Sequence, residues 1–268
     1  MTKNGNYMDE GGFLAENLSE VRLIVRDRYA KPLKVIHEIN RQSVATQHLI
    51  VIHRDNRVEL FMAVLFARTL ASTQAAVILL EHGLVAQART VLRSAMEGLF
   101  QLAAITRDRN VVDQILEAHE AEKIKIRANA SKWMGTVSLE TLLAQDVSGE
   151  TQAKEKAPRS ISVFCMAKKA GLEAWYYSAY RALSWSVHAA ASDLQRHLVV
   201  DDGGVIESIQ NEPEIEDQPF CWDIVGRIQI IALLGMAEIF PNVDKEAIGR
   251  HLAALDAAFE EHPPADTR

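Results

Sequence analysis

Tyr180, Ser184 and His188 recur every four residues in the stretch WYYSAYRALSWSVHAAASDLQRHL, residues 175–198. At about 3.6 residues per turn, a helix there carries a phenol, a hydroxyl and an imidazole on one stripe. Trp175, Leu183, Val187 and Leu194 form an apolar stripe beside it. Polar groups next to a buried face are costly unless they find partners. A second stretch, LVAQARTVLRSAMEGLFQLAAIT over residues 84–106, offers them. Arg89, Arg93 and Glu97 are spaced by four there, next to an apolar face of Leu92, Met96, Leu99 and Ala103. Where those faces meet, an Arg, a carboxylate and an imidazole share one pocket. The carboxylate would orient the imidazole and raise its proton affinity. The Arg would grip a phosphate or carboxylate with two N–H groups. The same residues also suit a hydrogen-bonded layer that fixes helix register with no ligand. A structural layer, a ligand site and a catalytic site all remain open at this level.

Other chemistries find no support in the sequence. No Glu-x-x-His, HExxH or CxxC motif occurs, so neither a di-iron bundle nor a zinc site is expected. No Walker loop or GxGxxG occurs, and no cofactor is expected. Ser184 sits mid-helix, a poor place for an exposed nucleophile, and there is no Gly-x-Ser-x-Gly. Its natural role is a hydrogen bond to a neighbouring helix or to its own i−4 carbonyl.

The elements that hold these stripes read as helices almost throughout. The pattern predicts helices over 13–29, from Pro32 to about 53, over 57–82 with Asp55-Asn56 as cap, and over 84–106. Further helices are expected over 110–133, over 139–144, in ISVFCMAKKAG, over 175–198, over 220–240 and over 243–261. The third, apolar around much of its circumference, is expected near the centre. Val199-Val200 and Val205-Ile206 around a glycine turn suit a small hairpin. The expectation is one all-α bundle of about eight to ten helices with a minor β-hairpin near 199–206. A single domain spans 13–261, with residues 1–12 frayed, 145–160 and 201–218 as mobile loops, and 262–268 as a tail.

Composition agrees: 48% hydrophobic residues, 6% aromatic, and only 13 Gly and 7 Pro among 268 residues favour helices packed on helices. A net charge of −7 argues against non-specific coating of nucleic acid. A local excess of nine Lys or Arg over four Asp or Glu from Lys123 to Lys169 leaves room for a basic patch. The opening residues lack the apolar core of a signal peptide, and Arg68, Ser72, Thr73 and Gln74 interrupt the longest apolar run. A cytoplasmic protein with two free thiols, Cys165 and Cys221, and no membrane partner is expected.

Two resemblances rest on these residues. RTVLRSAMEGLFQLAAI followed by YYSAYRALSWSVHAA resembles an uncharacterised bacterial helical family, a domain of unknown function. Its pattern is an Arg–x3–Glu helix and then a Tyr–x3–Ser–x3–His helix. The match falls on Arg93, Glu97, Tyr180, Ser184 and His188, and implies no reaction. Arg181 to His188 also resembles the Arg–x(4–6)–His motif of the HEPN superfamily, with Ala182 standing where that family usually has a polar residue. That resemblance implies a metal-independent ribonuclease or toxin of a bacterial defence or toxin–antitoxin system, acting as a homodimer. Arg181 would stabilise charge on an RNA phosphodiester, His188 would move a proton, and Arg93, Glu97, Tyr180 and Ser184 would support or bind. RNA and an antitoxin are the partners it implies. The alternative is a non-enzymatic helical module for a partner protein or small ligand, in which the polar cluster is structural.

Overall fold

The computed structural model describes residues 12–14, 18–133, 161–187, 194–201, 203–209 and 212–260. His188, the expected helix over 139–144, the loop over 145–160 and most of the basic stretch lie outside the described residues.

The described chain is an all-α bundle with one small antiparallel hairpin. Its helices are α1 (Leu18–Arg28), α2 (Ala30–Leu49), α3 (Arg57–Glu81), α4 (Val85–Arg107), α5 (Val111–Trp133) and α6 (Val163–Ala170). A single helical turn, α7 (Glu173–Trp175), runs through a π-helical segment (Tyr176–Tyr180) into α8 (Arg181–Val187). Strands β1 (Leu198–Val200) and β2 (Ile206–Ile209) follow, then α9 (Pro219–Ile239) and α10 (Lys245–Glu260).

The predicted hairpin is where the residues place it. Leu198 pairs with Ile209 and Val200 with Ile206. Asp201 Oδ1 closes the turn by accepting from the Gly203 and Val205 N–H groups at 2.9 and 2.7 Å. The helix expected to reach Leu198 does not: Gln195–His197 is a 3₁₀ turn and Leu198 opens β1. Leu194, expected on the buried stripe, is 52% exposed.

Helix α3 lies near the centre, as expected, and packs most extensively against α4, which is the more enclosed of the two. Helix α4 packs against α3, α6, α8 and α9, and Leu92, Met96, Leu99, Phe100 and Leu102 on it are fully buried. Helix α3 keeps an outward face on which Leu60, Val64 and Ile78 are about half exposed. Its cap is as expected, with Asn56 Oδ1 accepting the Glu59 N–H at 3.2 Å. Helix α9 takes the more central role and leaves only Leu234 and Glu238 exposed. Both α3 and α9 are long and apolar enough to cross a membrane by length and composition, yet half of that window in α3 and 72% of it in α9 is buried within the protein.

Two fastenings hold the end of the bundle where α3 gives way to α4. Where α3 turns into α4, Gly83 adopts φ +72°, and a Cβ there would come within 2.6 Å of Pro213 Cβ. The acidic segment before α9 therefore lies directly on this turn. Glu214 N donates to Gly83 O at 2.9 Å, and the Tyr29 hydroxyl reaches Ile215 O at 2.8 Å. The second fastening ties α1 to α3. Glu81 is buried, its side chain only 3% exposed, and accepts from Arg22 Nε and Arg26 Nε, each at 2.8 Å. Burial pushes the Glu81 carboxyl up, but the Arg26 and Arg22 guanidinium groups outweigh it and hold the carboxyl below its ordinary value.

Candidate functional site

The polar stripe of α4 does meet the stripe of the π segment and α8. Arg93 Nε donates to Ser184 Oγ at 3.1 Å. Ser184 Oγ in turn donates to the Tyr180 carbonyl, one turn back, at 2.8 Å. The Tyr180 hydroxyl donates to Glu97 Oε1 at 2.8 Å, and Arg93 Nη2 lies 3.3 Å from that same oxygen. The Arg93 guanidinium carbon stands 5.2 Å from the centre of the Tyr180 ring, within reach of a cation–π attraction. Four residues, paired across 83 and 91 positions of chain, thus form a closed circuit between two helical segments. It borders solvent: the Arg93 and Glu97 side chains are 25% and 34% exposed.

The local backbone explains how Tyr180 gets there. In the wider π turn, Tyr176 and Tyr180 stack, with ring centroids 5.1 Å apart and planes 17° from parallel. Phe100 on α4 adds a tilted contact with Tyr180 at 5.9 Å. Leu183 on the next turn is fully buried. The Tyr180 backbone and ring are therefore set by packing, and the hydroxyl is aimed at Glu97.

The circuit limits its own chemistry. Burial, reinforced by the Glu97 carboxylate, pushes the Tyr180 phenol up to about 12, so it stays protonated and donating at neutral pH. The Ser184 proton is committed to a carbonyl and its oxygen receives Arg93. Neither hydroxyl is a ready nucleophile. Glu97 can accept hydrogen bonds, and Arg93 can attract an anion from the solvent side.

Arg181 lies elsewhere. One residue past Tyr180, it lies about 100° further round the helix and is exposed. No hydrogen bond or ion pair reaches its side chain among the described residues. The two stripes drawn together in the sequence are thus two faces of α8. Tyr180 and Ser184 meet Arg93 and Glu97 inside, while Arg181 stands outside. Four residues before and after Arg181 are Tyr177, 59% exposed, and Trp185, 56% exposed. Tyr177 is braced by Phe164 at 5.6 Å and by Tyr176 at 5.5 Å. This outward aromatic–cation–aromatic row was missed in the sequence. Its signal is the four-residue spacing 177, 181, 185, hidden because aromatic residues in an apolar helix read first as core.

Among the described residues, no group of three or more His, Cys, Asp or Glu side chains is placed to hold a metal ion. Cys165 and Cys221 form no disulfide, and Cys221 is buried.

Fold and site together define a helical protein built on an Arg–Glu helix facing a Tyr–Ser helix. The chain belongs to a family of unknown function, DUF5677, whose model matches residues 59–205, just over half of its length. That span contains Arg93, Glu97, Tyr180, Arg181, Ser184 and His188, and leaves out α1, α2, α9 and α10. No curated protein and no solved structure matches the chain.

Proposed function

We propose that the protein is a HEPN-like, metal-independent ribonuclease or toxin of a bacterial defence or toxin–antitoxin system, acting in the cytoplasm as a homodimer. The observation that carries this reading is the exposed Arg181, without a side-chain partner among the described residues, between exposed Tyr177 and Trp185. Aromatic faces stack on unpaired bases and a guanidinium neutralises phosphate, which is the pairing that single-stranded RNA demands. Arg181 would stabilise the charge that develops on the phosphodiester, and His188, seven residues on in the sequence, would carry the proton. Arg93, Glu97, Tyr180 and Ser184 would act one step removed, by holding α8 at a fixed rotation. An RNA substrate and an antitoxin are the partners that follow from the reading.

The test compares wild type, Arg181→Ala and His188→Ala for RNA cleavage in EDTA and for growth arrest on expression in a bacterial host. Both variants should lose cleavage and toxicity, with melting temperatures within a few degrees of wild type. Cleavage and growth curves that match wild type in both variants remove the ribonuclease reading.

A second reading has its own observation. The Arg93–Glu97–Tyr180–Ser184 circuit satisfies its own groups, as a structural layer would. In that case the protein is a non-enzymatic helical module, and the exposed Tyr177, Arg181 and Trp185 are the contact residues for a partner protein, a residue set typical of interface hot spots.

A further inference from the structure

One turn before Arg93, on the same face of α4, Arg89 is the least comfortable charge in the described structure. Its side chain is 13% exposed, and among the described residues its one ion-pair partner is Asp217, whose Oδ2 lies 3.5 Å from Nη2. Its Nε is buried with no hydrogen-bond partner. A buried guanidinium normally gathers short, charge-assisted bonds, and a buried donor left without one is costly. Such an orphan in a native fold calls for a water or an ion.

The neighbouring residue adds to the demand. Arg93 follows at i+4, where Cβ atoms on a helix stand about 5–6 Å apart and like charges repel. Glu97 answers Arg93 at 3.3 Å. Asp217 answers Arg89 only at long range, from a side chain that is 59% exposed. That aspartate ends the segment fastened over the α3–α4 turn by Glu214 and Ile215, and its carboxylate reaches toward Arg89.

We propose that Arg89 and Arg93 form a receptor for a tetrahedral oxyanion, a phosphate or phosphate ester, and that the Asp217 carboxylate occupies this receptor in the absence of ligand. The incoming anion displaces the Asp217 side chain, accepts from the Arg89 guanidinium, and uses the N–H capacity of Arg93 not given to Ser184 and Glu97. Four oxygens can bridge two forks one turn apart, which a planar carboxylate does less well. The receptor is distinct from the outward Arg181 face and does not depend on the ribonuclease reading.

The experiment is calorimetric titration of the full chain with inorganic phosphate, with sodium acetate at equal ionic strength as control. Phosphate should bind wild type saturably and acetate at least about tenfold more weakly. Asp217→Asn, which removes the competing charge without touching the core, should tighten phosphate by about tenfold. Arg89→Gln should weaken it by about tenfold or more, the worth of one charge-assisted contact. Arg89→Lys keeps a cation at the position should Arg89→Gln fail to fold, and should fall between the two. Arg181→Ala should still bind. The proposal is overturned if Asp217→Asn and wild type both show no saturable phosphate heat. It is equally overturned if Asp217→Asn binds no tighter, or if binding follows Arg181 and ignores Arg89.

Discussion

Two regions of this molecule use the same residue types to join one helix to another. At one end, Glu81 of α3 is sealed and takes both Arg22 and Arg26 of α1 at 2.8 Å. In the middle, Glu97 of α4 takes the Tyr180 phenol at 2.8 Å and shares Arg93 at 3.3 Å, with both charged side chains partly open to water. The Glu81 carboxylate has two dedicated cations and no access to anything else. The Glu97 carboxylate is held by one neutral donor and one longer ion pair, and it borders solvent. Charged hydrogen bonds sealed from water contribute to stability, whereas open ones leave capacity for binding. The first is scaffold by geometry, and the second is scaffold with a face left over.

The largest expected effect breaks the scaffold side of this contrast. Glu81→Gln leaves two arginines facing a neutral amide and should lower unfolding free energy by about 2–3 kcal/mol in a denaturant melt; a loss below about 1 kcal/mol would dissolve the distinction. Its pH behaviour follows from the lowered Glu81 pKa. A carboxyl whose pKa is depressed by folding contributes stability above its ordinary value near 4.5, and that contribution is lost as pH falls through the folded value. The stability gap between wild type and Glu81→Gln should therefore be full at neutral pH and close in acid. Tyr180→Phe is the middle case, removing one hydrogen bond and costing about 1 kcal/mol. Here the sign reverses. The phenol is raised from 10.0 to about 12, so wild type holds its advantage below pH 10 and loses it as pH rises toward 12, while Tyr180→Phe lacks that alkaline slope. Parallel alkaline titrations would sharpen the contrast, and identical slopes would remove the buried phenol from the account. The smallest effect belongs to Ser184→Ala, about 0.5–1 kcal/mol, since Arg93 keeps Glu97 and can turn to water.

Much of this was legible in the residues. The spacing of Arg93 with Glu97 and of Tyr180 with Ser184 placed each pair on one face, and the two faces meet. The Asn56 cap, the stop at Gly171 and the glycine turn of the hairpin could be read because each depends on a few local atoms. The pairing of Arg22 and Arg26 with Glu81 could not, because a single Glu near a helix end carries no mark of burial. The central place of α4 was hidden as well. Its Arg89 and Arg93 lower its mean hydropathy below that of α3, although its apolar face is wholly enclosed. The outward position of Arg181 was missed for a different reason. Distance along the chain joined it to Tyr180, whereas the roughly 100° between consecutive helical residues separates them.

The π segment has a consequence for how this chain can change. It holds one residue more than an ordinary α-helical turn needs, and the wider turn absorbs that residue within the helix. Within it Tyr176 and Tyr180 stack with their ring centroids 5.1 Å apart. Loss of one residue between 176 and 180 would let the segment close into an ordinary α-helical turn, whereas gain of one would rotate the preceding chain by about 100° about the axis of α8. This stretch should therefore tolerate a shortening better than a lengthening, even where its side chains face water.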